Sequence, residues 1–144
     1  MKLIDVNLLL YAYDSSSPRH KEARAWVEEI LSGTQTVGLT WVVLLAFVRL
    51  STRSAVFEEP FTVDEAIGII LSWLDQPVTT VINPTDRHIF VLGELLAQVG
   101  TGGNLTTDAH LAALAIEHGA ELMSCDADFS RFKGLQWKDP LRAT

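Results

Sequence analysis

Four aspartates have the residue type and the positions needed for chemistry on phosphate groups. Asp5 ends the first apolar segment, Asp108 opens a predicted helix, and Asp126 and Asp128 follow the fourth predicted strand. Carboxylates that lie close together repel one another, so they stay ionised only when cations offset their charge. Oxygen-only ligands of this kind suit Mg²⁺ or Mn²⁺. The four residues therefore predict a divalent-metal site that acts on phosphates.

The elements that must position these carboxylates alternate between strands and helices. Apolar spacing predicts strands at residues 2–5, 36–39, 78–82, 121–125 and 135–137. Helical patterns fill the segments between them, including a helix that begins at Pro18 and a helix at residues 41–53 that is apolar almost all round and is expected to be buried. This alternation predicts an α/β fold: a three-layer sandwich whose mostly parallel, twisted sheet has helices on both faces. Ligands bind at the carboxyl ends of the strands in such sheets. Asp5 and Asp126 lie at that end of their strands, and Asp108 faces the same edge.

Each carboxylate also has a purely structural interpretation. Asp108 could cap its helix, Asp5 could simply turn the chain after a strand, and Asp126 with Asp128 could form an Asx-turn. Against capping, Asp108 continues the small apolar stripe of Leu111, Ala112 and Ala115, and an acid on such a face needs a partner. Taken together, the four acids favour the functional interpretation.

Composition limits the class of protein. The chain has 144 residues, 48% of them hydrophobic, which predicts one domain over residues 1–144 with a substantial core. The single cysteine, Cys125, excludes an internal disulfide and fits a reducing cytoplasm. Asp5 and Asn7 interrupt the first apolar run, which argues against a secretory signal, and no run approaches the roughly 18 residues that span a bilayer. We therefore expect a cytoplasmic protein without membrane contact.

The acidic balance restricts how the protein can meet a nucleic acid. The formal net charge is −7, which argues against general binding to nucleic-acid duplexes. It still permits the binding of one phosphate group through a metal ion. A small basic patch is formed by Arg19, His20, Lys21 and Arg24. It could dock RNA phosphates, but a solvated helix face is the commoner explanation. Arg49 lies in an apolar helix and requires an anion, either an acid of the core or the substrate, and we favour a structural ion pair there.

Three segments carry a resemblance to a known family. They are residues 5–12, residues 104–119 and residues 125–129, and the likeness extends from residue 2 to about residue 141. The chain resembles PIN-domain ribonucleases, and more narrowly the VapC-type toxins of bacterial toxin–antitoxin pairs. The resemblance implies a PIN-like sandwich, dependence on Mg²⁺ or Mn²⁺ and endonucleolytic cleavage of RNA. It also implies a cognate VapB-like antitoxin that blocks the site, and a homodimer that buries the apolar helix at residues 41–48.

One position departs from the family pattern. PIN domains usually carry a glutamate three residues before an arginine such as Arg49, and this chain has Ala46 there. A methyl group cannot bind a metal ion. We therefore expect Asp5, Asp108 and Asp126 to hold one ion well, a second ion to bind poorly, and Asp128 to act as a further ligand or to hold a water.

The proposed mechanism is hydrolysis of an RNA phosphodiester at this site, with Asp5, Asp108, Asp126 and Asp128 as the catalytic residues. Asn7 either orients Asp5 or caps its own helix. Rival phosphate chemistries fit less well, because an aspartyl phosphatase needs Asp-x-Asp after the first strand and a phospho-receiver needs an Asp after a middle strand. The serious alternative is a catalytically weak or inactive PIN-like module that binds RNA or the antitoxin. Ala46 is the observation that favours it.

Overall fold

A five-stranded parallel sheet runs through residues 1–142, the part of the chain that the computed structural model describes. Its strands are β1 (Lys2–Ile4), β2 (Val37–Thr40), β3 (Thr79–Ile82), β4 (Glu121–Met123) and β5 (Gln136–Lys138). They lie in the order β3-β2-β1-β4-β5, and every neighbouring pair is parallel. The predicted α/β fold is confirmed, and the sheet proves parallel throughout the described residues.

Six helices connect these strands within residues 1–142. They are α1 (Val6–Tyr13), α2 (His20–Leu31), α3 (Trp41–Ser51), α4 (Val63–Leu74), α5 (His88–Val99) and α6 (Thr106–Glu117). The chain moves outward from β1 through β2 to β3 and then returns to β4. Because parallel crossovers are right-handed, α1 to α4 lie on one face and α5 with α6 on the other. The contacts agree: α1 packs on α2 and α3, α3 on α4, and α5 on α6.

The sheet is packed so tightly at β2 that a glycine is required there. A Cβ atom on Gly38 would lie 2.3 Å from Cδ2 of Leu3 on β1 and 2.8 Å from Cγ1 of Ile82 on β3. Both neighbours are buried apolar residues of the core. Gly38 therefore allows the side chains of the two adjacent strands to close over the middle of the sheet.

An aromatic cluster joins the helices on the face formed by α1 to α4. The ring centroids of Phe47 and Trp73 are 4.8 Å apart, and Tyr13 packs edge-on against both rings. Trp73 is almost completely buried, and its Nε1 donates a hydrogen bond of 2.9 Å to the Tyr13 hydroxyl. The cluster fixes α1, α3 and α4 relative to one another, and so fixes the wall of the cleft described below.

Two predictions about the helices need correction. Helix α2 begins at His20 and not at Pro18, because residues 14–19 form turns in which the Ser17 hydroxyl accepts a hydrogen bond of 3.2 Å from Arg19 N. Helix α3 was expected to be buried almost all round, yet Trp41 and Leu45 are 55% and 62% exposed. The sheet, α1 and α4 cover the face of α3 that carries Val43, Leu44 and Phe47, and they leave Trp41 and Leu45 uncovered.

A single cluster of buried apolar residues draws on all six helices and on the sheet. This continuity supports the proposal of one domain, whose predicted range of 1–144 extends two residues beyond the described part. Within residues 1–142, no helix combines the length and the hydropathy that crossing a membrane requires.

Candidate metal centre

The candidate site lies where the chain changes direction in the sheet. The β1 strand is flanked by β2 on one side and β4 on the other, so the connections that leave these strands diverge at their carboxyl ends. Asp5 directly follows β1, and its backbone N–H donates a 2.9 Å hydrogen bond to Met123 O of β4. Ser124 and Asp126 follow β4. Both segments therefore deliver polar side chains to one crevice.

Three of the four predicted carboxylates meet at this crevice. One side-chain oxygen from each of Asp108, Asp126 and Asp128 lies within 4.8 Å of those of the other two. Asp108 and Asp126 are partly buried, and Asp128 is exposed. Asp108 comes from the first turn of α6, where it faces the cleft, and no hydrogen bond from residues 1–142 reaches its carboxylate. The capping interpretation of Asp108 is therefore not what the structure shows.

A tight turn after β4 brings Asp126 and Asp128 to the same place. The Asp126 carboxylate accepts a hydrogen bond of 2.9 Å from the backbone N–H of Asp128, which is the Asx-turn that the sequence suggested. This bond occupies one oxygen of Asp126 and starts the short 3₁₀ helix Ala127–Arg131. The structural and the functional interpretations of Asp126 and Asp128 therefore both hold, because the turn itself places Asp128 beside Asp108.

Asp5 lies beside the three carboxylates and is held by hydrogen bonds of its own. One oxygen accepts from Val6 N at 2.8 Å, and the other accepts from the Ser124 hydroxyl at 2.7 Å and from Asn7 Nδ2 at 3.4 Å. Burial raises the pKa of Asp5, the bonds from Ser124 and Val6 oppose that shift, and the charge of Asp126 adds to it. Both Asp5 oxygens are therefore engaged inside the protein, in contrast to the carboxylate of Asp108.

Ser124 is a site residue that the sequence reasoning missed. It is fully buried, and its hydroxyl accepts from Asn7 Nδ2 at 3.2 Å and from Asp126 N at 3.0 Å while donating to Asp5. Asn7 also accepts a 3.3 Å bond from Cys125 N, so it joins α1 to the end of β4 and does not cap its own helix. The available signal was a small polar residue two positions before Asp126, at the end of a buried strand.

The electrostatics of the cluster favour a bound cation. Burial is the main reason that the pKa of Asp108 rises from 3.8 to about 6, and the charges of Asp126, Asp5 and Asp128 raise it further. A divalent ion between these oxygens would cancel the repulsion and return Asp108 to its ionised form. All of the donors are carboxylate oxygens, the set that Mg²⁺ and Mn²⁺ prefer.

A cleft of about 240 Å³ opens beside the cluster. Asp5 and Asp108 line one side of it, and the α3 residues Ala46 and Arg49 line the other. Ala46 is 9% exposed and contributes only a methyl group. The wall contributed by α3 therefore adds a cation and no carboxylate.

Cysteine chemistry does not fit this site. Cys125 is next to the cluster, but burial, together with the neighbouring charge of Asp139 and the Sγ–Asp139 hydrogen bond, raises the pKa of its thiol to about 12. The thiolate, which is the nucleophilic form, is therefore suppressed at neutral pH.

A second polar network runs along α6, from Glu117 at the end of the helix to His110 near its start. Glu117, whose side chain is fully buried, accepts bonds from Thr85 and from His88 Nδ1, and His88 Nε2 is 2.9 Å from His110 Nδ1. Burial opposes the ionisation of Glu117, yet the bonds from Thr85 and His88 hold its pKa below the ordinary value. The network ties α5 to α6.

Comparison with known proteins identifies the family. The PIN domain family model matches residues 2–135. The chain is 48% identical to ribonuclease VapC37 of Mycobacterium tuberculosis over 97% of both chains, and 41% identical to ribonuclease VapC33 of that species over 99% of both. The fold is similar to that of VapBC2 from Rickettsia felis bound to promoter DNA, with a TM-score of 0.67, 21% identity and coverage of 95% of this chain and 96% of that one. The chain belongs to the PIN-domain family, among the VapC ribonucleases.

Proposed function

We propose that the protein is a Mg²⁺-dependent endoribonuclease and the toxic component of a toxin–antitoxin pair. The observation that carries this proposal is the convergence of Asp108, Asp126 and Asp128 at the carboxyl edge of the sheet. Full-length similarity to proteins named as VapC ribonucleases supports RNA as the substrate class. Hydrolysis would add water at phosphorus, break the bond to the leaving ribose oxygen and transfer a proton to that oxygen.

The described residues fit a divalent metal. Asp108, Asp126 and Asp128 would hold Mg²⁺, with Mn²⁺ as an alternative, and Asp5 would complete the site from its hydrogen-bonded position beside them. When bound, the ion supplies Lewis-acid polarisation of a phosphoryl oxygen and activation of a water.

The chain's own residues have distinct parts in this proposal. Asp5, Ser124 and Asn7 form a hydrogen-bond network, and Ser124 accepts a bond from the backbone N–H of Asp126 and so holds that residue in place. Asp128, the exposed member, has the freedom to orient a water and to accept its proton at a carboxylate oxygen. The apolar wall of the cleft, with Val42, Val43 and Leu111, limits water around the reacting phosphate.

The proposal extends to partners and location. A VapB-like antitoxin would inhibit the enzyme by placing a basic side chain into the carboxylate cluster, where it competes with the metal ion for the same negative charge. The exposed apolar side chains of Trp41 and Leu45 on α3 support a homodimer. A reducing cytoplasm is the proposed location, since the chain has one cysteine and does not depend on a disulfide.

Substitution of Asp108 tests the activity directly. We expect Asp108→Asn to reduce Mg²⁺-dependent cleavage of a susceptible RNA by at least 100-fold, because the amide neither carries the charge nor competes for the ion. Asp86→Asn is the matched control, since Asp86 is an exposed acid that does not line the cleft. RNA cleavage by Asp108→Asn at the wild-type rate would refute the proposal.

The second candidate function is a module that binds RNA or antitoxin with weak or no catalysis. Ala46 favours it, because the α3 wall of the cleft supplies no carboxylate. Titration with Mg²⁺ and Mn²⁺ against a panel of structured RNAs separates the two candidates. The inert module predicts no metal-dependent cleavage even at high protein concentration.

A further inference from the structure

Arg49 presents a cation without a protein partner to the candidate site. It is exposed on α3 and lines the cleft together with Asp5 and Asp108. Within residues 1–142, no carboxylate lies within 4.0 Å of its guanidinium, and no hydrogen bond or aromatic ring engages it. The described residues therefore do not provide the ion-pair partner that was expected for Arg49.

Two nearby arginines show the opposite arrangement. Arg24 Nε donates to Glu28 at 2.7 Å and its guanidinium lies 4.8 Å from the ring centroid of Tyr13. Arg19 lies 5.7 Å from the ring centroid of Tyr11. These members of the basic patch are engaged in holding α1 and α2, whereas Arg49 remains available to a ligand.

The cleft needs such a cation if a polyanion is to enter it. The chain carries a net charge of −7, and Asp5 and Asp108 lie on the facing wall. Even with a metal ion bound at Asp108, the net negative charge of the chain disfavours a polyanion, and a positive group on the opposite wall would offset that charge. An arginine fork suits this task, because its planar donors match two phosphate oxygens at once.

Position 46 keeps Arg49 free for that role. Residues three apart on a helix are neighbours on its surface, so an acid at position 46 could pair with Arg49. Ala46 places a methyl group there, which leaves both the guanidinium and the adjacent space of the cleft open. The same residue that deprives the site of a carboxylate therefore leaves its cation unpaired.

We propose that Arg49 binds a backbone phosphate of the RNA in this cleft and is a substrate-binding residue of the enzyme. The inference deepens the proposed ribonuclease function, since it takes RNA as the ligand. It assigns the α3 wall to holding the substrate and the opposite wall, with Asp108, to the metal. The basic patch on α2 is not needed for this contact.

Direct RNA binding tests the proposal separately from cleavage. We would measure fluorescence anisotropy of a labelled single-stranded RNA in EDTA over a series of salt concentrations, comparing the wild type with Arg49→Gln, Arg49→Lys and the matched control Arg53→Gln. Arg53 is exposed just after α3 and does not line the cleft. Circular dichroism melts would confirm that each variant is folded.

We expect Arg49→Gln to weaken RNA binding about tenfold and to reduce the slope of log affinity against log salt by about 0.7, the loss of one phosphate contact. Arg49→Lys should keep the slope but recover only part of the affinity, and Arg53→Gln should match the wild type. In Mg²⁺, the cleavage defect of Arg49→Gln should appear mainly in KM.

The outcomes separate the two proposals. Wild-type affinity and salt slope in Arg49→Gln would overturn the assignment of Arg49, even if the wild type cleaves RNA. Weakened binding in Arg49→Gln by a protein that never cleaves would support Arg49 and contradict the ribonuclease. Absence of RNA binding by the wild type at low salt would overturn the assignment as well.

Discussion

At the residue scale, the site consists of carboxylates that differ in how they are held. Asp5 has both oxygens engaged by Val6, Asn7 and Ser124, whereas no residue in the described part of the chain donates a hydrogen bond to the Asp108 carboxylate. Asp108 consequently has no hydrogen-bond donor to stabilise its ionised form, and a cation would have to supply that stabilisation. Metal affinity should therefore respond to the protonation of Asp108 and to the residues that fix its neighbours.

The first prediction concerns pH and metal affinity. The pKa of Asp108 is raised to about 6, so below pH 6 a proton occupies the carboxylate and must be displaced by the ion. We expect Mg²⁺ or Mn²⁺ affinity to be nearly constant above pH 7 and to fall up to tenfold per pH unit below 6. Calorimetric titrations between pH 5 and 8 would measure this, and an affinity that does not vary over that range would contradict it.

The second prediction concerns Ser124 as a positioning residue. Ser124→Ala removes the hydroxyl that joins Asp5, Asn7 and the backbone of Asp126, so it should weaken Mn²⁺ binding by about 10- to 100-fold. The readout is metal affinity by calorimetry, which does not depend on turnover. Ser72→Ala is the control, because Ser72 is an exposed residue of α4 that bonds only its own helix. Equal metal affinity in both variants would rule out a positioning role.

At the element scale, close packing in the sheet fixes the distance between the strands that carry the site. Asp5 and Asp126 are displayed by β1 and β4, and β1 packs against β2 at Gly38. On the face formed by α1 to α4, the Tyr13, Phe47 and Trp73 cluster holds α3 against α1. On the other face, the Glu117, His88 and His110 network ties α6, the helix of Asp108, to α5.

The third prediction tests the packing at Gly38. Gly38→Ala should destabilise the protein by about 1–3 kcal/mol, because the added methyl group overlaps Leu3 and Ile82. Gly93→Ala is the matched control: Gly93 lies in α5 with no atom within 4 Å of an added Cβ, so the change should stabilise by about 0.5–1 kcal/mol. Urea denaturation would measure both free energies of unfolding. Changes of the same sign in the free energy of unfolding for Gly38→Ala and Gly93→Ala would contradict the prediction.

At the scale of the whole molecule, five of the eight exposed large apolar side chains in the described residues lie on two adjacent helices. Trp41 and Leu45 on α3 are exposed, and so are Val63, Ile67 and Leu71 on α4, which packs against α3. An exposed apolar surface of this kind is typical of a protein–protein contact. It lies on the side of the molecule that bears the α3 wall of the cleft, so a second protomer there would stand close to the substrate.

The fourth prediction is that this surface forms the proposed homodimer. We expect a dimeric mass by size-exclusion chromatography with light scattering, and a monomeric mass for Leu45→Glu, since a buried charge without a partner opposes association. Ile89→Glu is the control, because Ile89 is 67% exposed but belongs to α5 on the opposite face. A monomeric wild type, or a dimeric Leu45→Glu, would contradict the prediction.

Much of the architecture follows from local patterns in the sequence. The apolar periodicity predicted the alternation of strands and helices, because each helix or strand must turn its apolar side chains to a core whatever its neighbours are. That alternation implied a parallel sheet, and with it the meeting of Asp5, Asp108 and Asp126 near one edge. The family resemblance came from the same segments and was confirmed.

What only the tertiary structure decided depends on contacts between residues far apart in the chain. It placed Asp128 with Asp108 and Asp126, while Asp5 is bound by a serine 119 residues away. It also left Arg49 without a partner among residues 1–142 and exposed one face of α3. A local sequence pattern cannot predict these contacts, because hydrogen-bond partners and side-chain exposure depend on how the helices pack around the sheet. The sequence by itself determined which residues can do the chemistry, and the fold determined the role open to each.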